Sequence, residues 1–252
     1  MKRFIILLSC VITFALNIFA EDVDILKMQA DSAYSHEQYD KAIKLYEKLA
    51  SNTENYKVYY NLGCAYYRVD NIAKSVLWLE RASRLNPSDE DVQFNLALVR
   101  NKTIDKITPK HEMIIVSIFK KLVNLMSLES WSVTCIILFI LSFVFISLFF
   151  FSNILTLRKV GLLMFALCFV LCVLGNICAY QQRSLAASHE NGIIMSPAVT
   201  VKSTPTDSGS DLFVIHEGTF VEIKDSSMKD WLEIQIADGK VGWIPKKTLE
   251  LI

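Results

Sequence analysis

The sequence has little of what catalytic sites are built from. Glycine occurs only 8 times in 252 residues, and no phosphate-binding loop, nucleotide fingerprint or nucleophile elbow is present. The four histidines, His36, His111, His189 and His216, lie in separate segments without a second ligand at metal-binding spacing. Charge of one sign is also lacking, since 26 basic residues balance 26 acidic ones, which argues against nucleic acid as the main partner. We therefore predict a protein that is not an enzyme and has no catalytic residues, metal site or cofactor.

Cysteine is present but not in a pattern that builds a disulfide framework or a zinc site. Of the 6 cysteines, four lie in apolar runs: Cys135, Cys168, Cys172 and Cys178. Cys168 and Cys172 share a helix face at i and i+4. This spacing leaves two interpretations, either packing within an apolar helix or a metal or redox pair.

Apolar residues make up 52% of the chain and give a mean hydropathy of +0.34, too high for one soluble domain. Residues 1–20 account for part of this excess and are predicted to be a secretory signal peptide. Lys2 and Arg3 form its basic start, an apolar stretch follows, and Ala20 ends it before an acidic pair. Because Ile18 is bulky where a small residue is preferred, an uncleaved anchor helix is the main alternative.

Residues 21–104 contain an internal repeat, which emerges when the chain is shifted by 33 positions. Small residues then fall on small ones, as Ala30 falls on Gly63, and large apolar residues fall mostly on large ones. Each unit is predicted to form two helices with a short turn, at residues 37–38 and 70–71. The small residues let the two helices approach closely, and the large ones fill the seam between them.

The second unit carries a spaced set of large and small residues: Tyr59, Leu62, Gly63, Tyr66, Ser75, Leu79, Ala82 and Pro87. In this set the segment resembles the tetratricopeptide repeat (TPR), which implies an α-helical solenoid of two repeats. A further helix from Glu90 to Lys102 resembles the capping helix that shields the open end of such a stack.

This resemblance implies a concave face, built mostly from the first helix of each unit, that grips a peptide or a partner helix. Ten residues are predicted to form it: Lys27, Asp31, Tyr34, Tyr60, Asn61, Cys64, Tyr67, Arg68, Phe94 and Asn95. Some members of the family clamp a terminal carboxylate, and Lys27 and Asn61 match that clamp, whereas Asp31, Asp91 and Asn95 do not. The alternative is that the tyrosines only stabilise a short stack.

Two stretches, residues 131–151 and 160–180, contain no charged residue. Each has the ~20 residues needed to cross a hydrocarbon core of about 30 Å, and neither shows the polar stripe of a soluble helix. We predict a transmembrane hairpin of two helices joined by a link at residues 152–159. Because Arg158 and Lys159 in this link favour the cytoplasmic side, both soluble domains are expected on the periplasmic face of the inner membrane.

Residues 112–127 form a third apolar segment, but one that is patterned. Ser117, Lys120, Lys121 and Asn124 fall on one helix face, and large apolar residues face the other way. This spacing predicts an amphipathic helix lying in the membrane interface with its lysines near lipid phosphates. The alternative is a core helix of the repeat domain.

Residues 192–252 change to the apolar period of two that is typical of strands. Five short strands are predicted, with a tight turn at Asp238-Gly239, and together they indicate a small all-β barrel. The residues that carry a family resemblance are Val199, Val201, Pro205, Leu212, Phe213, Gly218, Trp231, Gly239, Gly242, Trp243 and Ile244.

With these residues the segment resembles the bacterial SH3-type (SH3b) domain, which implies binding of cell-wall peptides or of other proteins. Trp231 and Trp243 are the candidates to line a ligand groove. The alternative, for Trp231 above all, is packing inside the barrel.

The order of these modules resembles the TPR proteins of the Bacteroides aerotolerance operon, the BatE family. This resemblance implies a scaffold beside membrane proteins with von Willebrand A-type domains and a MoxR-type ATPase, acting in oxidative-stress tolerance or envelope assembly. In the alternative, the chain is an envelope sensor whose SH3-type domain binds peptidoglycan. The short inner loop argues against the sensor, because it offers little surface to relay a signal.

Overall fold

The computed structural model describes residues 23–107, 113–187 and 190–252. The predicted signal peptide at residues 1–20 lies outside them. The helices are α1 at residues 23–35, α2 at Tyr39–Ala50, α3 at Tyr56–Arg68, α4 at Ile72–Leu85, α5 at Glu90–Arg100, α6 at Ile114–Val123, α7 at Leu128–Phe151 and α8 at Leu155–Ala187. The strands are β1 at Asn191–Ile194, β2 at Ala198–Lys202, β3 at Asp211–His216, β4 at Phe220–Asp225, β5 at Trp231–Gln235, β6 at Val241–Pro245 and β7 at Leu249–Leu251.

Helices α1 to α5 form the repeat domain, in which the two units turn at equivalent positions. Glu37 and Asp70, 33 residues apart, both adopt left-handed backbone conformations, with φ of 61° and 59°. Helices α3, α4 and α5 each begin after a side chain that accepts a hydrogen bond from the first turn, namely Asn55, Asn71 and Asp89. Such N-caps satisfy backbone donors that the helix itself leaves unpaired.

The small residues that the 33-residue shift superimposes lie in the interior of the repeat domain. Ala42 and Ser75, which the 33-residue shift superimposes, are both fully buried. Ser75 donates a hydrogen bond from its hydroxyl to the carbonyl of Gly63 at 2.8 Å. A Cβ at Gly63 would lie 2.7 Å from Leu79 Cγ, so glycine is required for the close approach of α3 and α4.

Helices α7 and α8 are each long and apolar enough to cross a membrane. Only 11% of the apolar window of α7 and 22% of that of α8 are buried, whereas a core helix of a soluble protein would be mostly buried. Small residues let the two helices pack closely: a Cβ at Gly161 would lie 2.8 Å from the Phe145 carbonyl oxygen. Cys135 and Cys172 are buried, and the thiol of each donates to the backbone carbonyl of the other, at 3.7 and 3.5 Å.

The link between α7 and α8 is shorter than predicted. Helix α7 ends at Phe151 and α8 begins at Leu155, so three residues, not eight, connect them. Arg158 and Lys159 therefore lie in the first turns of α8 rather than in a loop. Long basic side chains tolerate such a helix end because they reach outward to the polar layer, and Arg158 lies 5.2 Å from the centre of the Phe149 ring.

Helix α6 exposes its apolar face, which contradicts the alternative that it is a core helix of the repeat domain. Ile115 is 81% exposed, and Ile118 and Leu122 on the same side are also exposed. The end of α6 is fastened to the start of α7, because Trp131 Nε1 donates to the Val123 carbonyl at 3.0 Å.

Strands β1 to β7 form the sheet domain, residues 190–252. They build one antiparallel sheet in the order β3-β2-β6-β5-β4-β1-β7, which curves around a core of nine buried apolar residues. The prediction of five strands was wrong, because β1 and β3 were not counted. Strand β1 has only four residues and includes Gly192, and only one residue of β3, Ile215, is buried, so neither shows a clear alternation.

The repeat and sheet domains share a hydrophobic core, the junction. Val76, Leu77 and Leu79 of α4 and Leu96 and Val99 of α5 pack there with Ile193 of β1 and Ile252. Arg81 and Arg84 of α4 donate hydrogen bonds to the carbonyls of Leu251 and Ile252, respectively. The last residue of β7 and Ile252 are thus held against α4, the second helix of the second repeat.

A second set of junction contacts centres on Asp105, in the segment after α5. Its carboxylate accepts hydrogen bonds from the His216 backbone N–H at 2.7 Å and the Thr219 hydroxyl at 2.6 Å. His216 Nδ1 lies 2.8 Å from the same carboxylate. Nearby, a Cβ at Gly218, which has φ of +81°, would lie 2.8 Å from Thr103. The turn between β3 and β4 therefore fits closely against the end of the repeat domain.

Candidate partner-binding site

The repeat domain contains a groove of about 210 Å³ between α1, α3 and α5. Its lining consists of Tyr34, Cys64, Tyr67, Arg68, Leu79, Asn95, Leu98 and Val99. We call these eight residues the groove. Five of the ten residues predicted for the concave face belong to it: Tyr34, Cys64, Tyr67, Arg68 and Asn95.

Two further predicted residues lie on the same helices without lining the groove. Tyr60 accepts a hydrogen bond from Asn95 Nδ2 at 2.9 Å, so it positions a groove residue. Phe94 is 68% exposed, a high value for the side chain of a phenylalanine in a helical stack. Leu98, one helical turn further along α5, is also exposed, and the two together form an apolar edge.

Of the remaining three predicted residues, Lys27 and Asn61 both contact the third, Asp31. Asp31 accepts hydrogen bonds from Tyr46 at 2.6 Å and from Asn61 at 3.3 Å, and it pairs with Lys27 at 2.9 Å. Burial, followed by the contact with Asp31, raises the pKa of Tyr46 well above its ordinary value. Lys27 and Asn61, the two matches to the carboxylate clamp, are thus both engaged by a carboxylate of the chain itself.

The ends of the groove differ in charge. Arg68 is exposed, and its hydrogen bond with Tyr34 raises the pKa of its guanidinium. Lys102 adds a second cation, with Nζ 4.6 Å from the centre of the Tyr67 ring. At the other end, near Tyr60, the charged residue is Asp91. The pKa of Tyr60 is raised mainly by burial, then by Cys64, and to a smaller extent by Asp91. The groove therefore has a cationic end and an acidic end.

Cys64 lies on the floor of the groove as a neutral thiol. Burial raises its pKa to about 11. Since the thiolate is the reactive form, this environment makes Cys64 an apolar contact rather than a nucleophile.

Three groove residues were missed at the sequence level: Leu79, Leu98 and Val99. Leu79 comes from α4, the second helix of its unit, and reaches the groove only because Gly63 leaves space beside it. Leu98 and Val99 lie one helical turn after Phe94 and Asn95, which were assigned to the concave face, so continuing that face along the capping helix at i+4 would have found them.

The two candidate tryptophans of the sheet domain lie on the outer face of the sheet. Leu232 and Ile234 of β5 are buried in the core. Because side chains alternate along a strand, the partly buried Trp231 lies on the opposite face. Trp243 has the same orientation on β6, where its neighbour Ile244 is fully buried. Neither tryptophan is among the described residues that form the sheet core or pack against it, which speaks against the alternative that Trp231 packs inside the barrel.

The strand register makes these two residues diagonal neighbours on adjacent strands. Trp231 is paired with Pro245, and Trp243 lies two residues before Pro245 on the same strand. Diagonal neighbours of this kind are about 7–8 Å apart, within reach of aromatic side chains. Glu233 and Lys202 flank Trp243 on the neighbouring strands.

Two family models match the chain. Residues 56–89 match the tetratricopeptide repeat, and residues 197–250 match the bacterial SH3 domain. No curated protein matches the chain in a sequence comparison.

These matches confirm the predicted fold class: a helical TPR region, two apolar helices and a C-terminal antiparallel sheet that fits an SH3-type domain. Both families are typically non-catalytic interaction modules, which bind proteins or, for bacterial SH3 domains, also peptidoglycan. Among residues 23–107, 113–187 and 190–252, no cluster of three potential metal ligands occurs.

Proposed function

We propose that this protein is a membrane-anchored scaffold that holds a segment of a partner protein in the groove of its repeat domain. The observation that carries the proposal is the convergence of Tyr34, Tyr67, Arg68 and Asn95 on one groove beside the exposed Phe94. Tyr34 and Tyr67 pack partly against the cores beneath them but are not fully buried, whereas Tyr46, which only stabilises the stack, is 1% exposed.

The groove favours a partner segment with an apolar centre and a defined direction. Its floor is formed by Leu79, Val99 and the neutral Cys64, which suit an apolar side chain. Arg68 at one end suits a carboxylate, and Asp91 at the other suits a basic group. Such complementarity fixes orientation and specificity more than it adds affinity.

Anchoring is proposed through α7 and α8, with both soluble domains on the periplasmic face of the inner membrane. Support comes from the length and exposure of the two helices and from the junction, because domains that share a core lie on the same side of the membrane. The module order adds the partners that its resemblance implies, von Willebrand A-type membrane proteins and a MoxR-type ATPase, and a role in aerotolerance or envelope assembly.

The test places a photo-crosslinking amino acid at position 94 in intact cells and identifies the attached proteins. We expect one or a few discrete crosslinked partners, and at least tenfold less product when Tyr67→Ala and Arg68→Ala are combined. The matched control is Tyr56→Ala with Lys57→Ala, a tyrosine and cation pair on α3 outside the groove. Equal crosslinking in all three proteins would count against the groove as the binding site.

A second candidate function is peptidoglycan binding by the sheet domain. The observation that favours it is the pair of half-buried tryptophans on the outer face of the sheet, since aromatic faces suit sugar rings and peptide side chains. The full chain in detergent should then sediment with purified peptidoglycan, and Trp243→Ala should reduce the bound fraction severalfold. Exposed Leu212→Ala serves as the control, and no sedimentation of the unaltered chain would exclude this candidate.

A further inference from the structure

Two cavities adjoin where the repeat domain, the sheet domain and the helices α6 and α8 meet. The outer cavity, about 530 Å³, lies between α6 and the turn from α4 to α5. The inner cavity, about 250 Å³, continues towards α8 and the sheet domain. Pro87 and Asn124 line both, so the two cavities are adjacent, and we call them together the recess.

The inner cavity contains an acceptor without a partner. Gln182 of α8 is only 3% exposed, and its Nε2 donates to the Met126 carbonyl at 3.1 Å. Its Oε1 is buried and accepts no hydrogen bond within the part of the chain that the structure describes. A buried acceptor left in this state costs about 1–3 kcal/mol, so the site suits a ligand that brings a hydrogen-bond donor.

The recess is also cationic. Lys120 and Lys121 line its outer part, and Arg84 and Arg100 line its inner part. Among the described residues that line the recess, the acidic ones are Glu90 and the buried Glu80, which pairs with Arg100. The balance favours an anionic group on the ligand.

Position along the apolar helices indicates the source of that ligand. Gln182 lies two residues from the end of the apolar span Leu155–Ser184, and α6 exposes its apolar face beside the start of α7. With α7 and α8 in a bilayer, the recess lies at the depth of the lipid headgroups, where phosphate is concentrated.

We propose that this recess binds the headgroup of an anionic phospholipid, a site that rests on the proposed membrane anchoring. The phosphate lies in the outer cavity near Lys121 and Asn124, and a hydroxyl of the headgroup donates to Gln182 Oε1 in the inner cavity. The bound lipid would join the underside of the repeat domain to α6 and α8, and so fix the height of the groove above the membrane.

The test uses the full chain in a neutral detergent, titrated with short-chain phosphatidylglycerol, phosphatidylcholine or inorganic phosphate while thermal unfolding is followed. Phosphatidylglycerol should raise the unfolding midpoint, and the other two should not. Lys121→Gln should weaken phosphatidylglycerol binding about tenfold, by loss of one charge-assisted contact, and Gln182→Met about fivefold. The matched control is Arg183→Gln, which removes a cation next to Gln182 that does not line the recess.

Each other outcome overturns the proposal. Equal stabilisation by phosphatidylcholine removes the headgroup preference, and equal stabilisation by inorganic phosphate removes the lipid as the source. An effect of Arg183→Gln as large as that of Lys121→Gln would show general surface charge rather than a site. Flotation with phosphatidylcholine vesicles separates the two proposals: a chain that floats but lacks the preference loses only the lipid site, and one that does not float loses the membrane anchor as well.

Discussion

Replacing Asp105 with alanine should loosen the attachment of the sheet domain to the repeat domain. The carboxylate, 15% exposed, accepts hydrogen bonds from the His216 backbone and the Thr219 hydroxyl and lies 2.8 Å from His216 Nδ1. Hydrogen bonds to a charged group contribute about 1.5–3 kcal/mol each, and those that share one acceptor do not add fully. We therefore expect a loss of about 3 kcal/mol in the stability of the docked sheet domain.

Amide hydrogen exchange of β5 can measure this loss of stability, because the substitution does not remove any contact of β5 itself. None of the hydrogen-bond partners of Asp105 lies in Trp231–Gln235, and a central strand exchanges only when the sheet opens. A loss of about 3 kcal/mol corresponds to roughly 150-fold faster exchange. The control is Asp207→Ala, an exposed carboxylate in the loop between β2 and β3. Unchanged exchange of β5 in Asp105→Ala would refute the importance of this contact.

The same contact gives the stability a defined pH dependence. Burial alone would raise the pKa of Asp105, but hydrogen bonds from Thr219 and His216 bring it below its ordinary value. A lowered pKa in the folded state means that the stabilisation is fully present above the unfolded pKa of about 3.9 and is lost as pH falls through the folded pKa. The difference in thermal midpoint between the unaltered chain and Asp105→Ala should thus be present at about pH 5 and shrink as the pH falls below about 4.

Two further predictions concern packing. Gly63→Ala should destabilise the repeat domain by about 1–3 kcal/mol in chemical denaturation, because the alanine Cβ would lie 2.7 Å from Leu79 Cγ, although alanine is the better helix former. A denaturation midpoint equal to that of the unaltered chain would contradict the close approach of α3 and α4. A fragment of residues 190–252 should unfold cooperatively on heating, and a fragment of residues 196–252 should not, because the shorter fragment lacks β1 and the fully buried Ile194. Thermal unfolding followed by circular dichroism distinguishes the two, and equal melting curves would show that β1 is dispensable.

The repeat could be predicted from the sequence because its information is local and periodic. A 33-residue shift superimposes small residues on small ones, and the structure buries them at the helix contacts, as with Ala42 and Ser75. The turns at Glu37 and Asp70 were predicted for the same reason. Charge-free stretches are equally local, so α7 and α8 were found, and the end of α7 at Phe151 was predicted correctly. The start of α8 was not, because α8 includes the basic Arg158 and Lys159, whose long side chains can reach away from the apolar part of the helix.

The groove could be predicted only in part. The sequence indicates which face of a helix a residue lies on, but contacts from other helices determine whether that residue lines the groove or is packed. Asp31 was assigned to the concave face, but Tyr46 from α2 and Asn61 from α3 reach it and draw it into the packing. Leu79 was read as a core residue of α4, and its second role in the groove depends on the missing side chain of Gly63.

The junction could not be predicted from any pattern in the sequence. Asp105 and His216 lie 111 residues apart, and neither stands in a motif. Ile193 and Ile252 resemble ordinary strand residues, and only the docked arrangement shows that they pack against α4 and α5. Contacts of this kind join surfaces that each domain could also expose to water, so their sequence signature is weak.

The junction changes how the scaffold is expected to work. Leu79 and Val99 line the groove and also belong to the core that the repeat domain shares with Ile193 and Ile252 of the sheet domain. A partner that shifts these two side chains therefore acts on the docking of the sheet domain, and by thermodynamic reciprocity the docking acts on the affinity of the groove. If α7 and α8 cross a membrane as proposed, the link of three residues between them offers far less surface for communication across it than this shared core offers between the two domains. Under the proposed anchoring, the packing thus favours coupling between the two domains, as the proposed scaffold requires, over a signal passed inward through the hairpin.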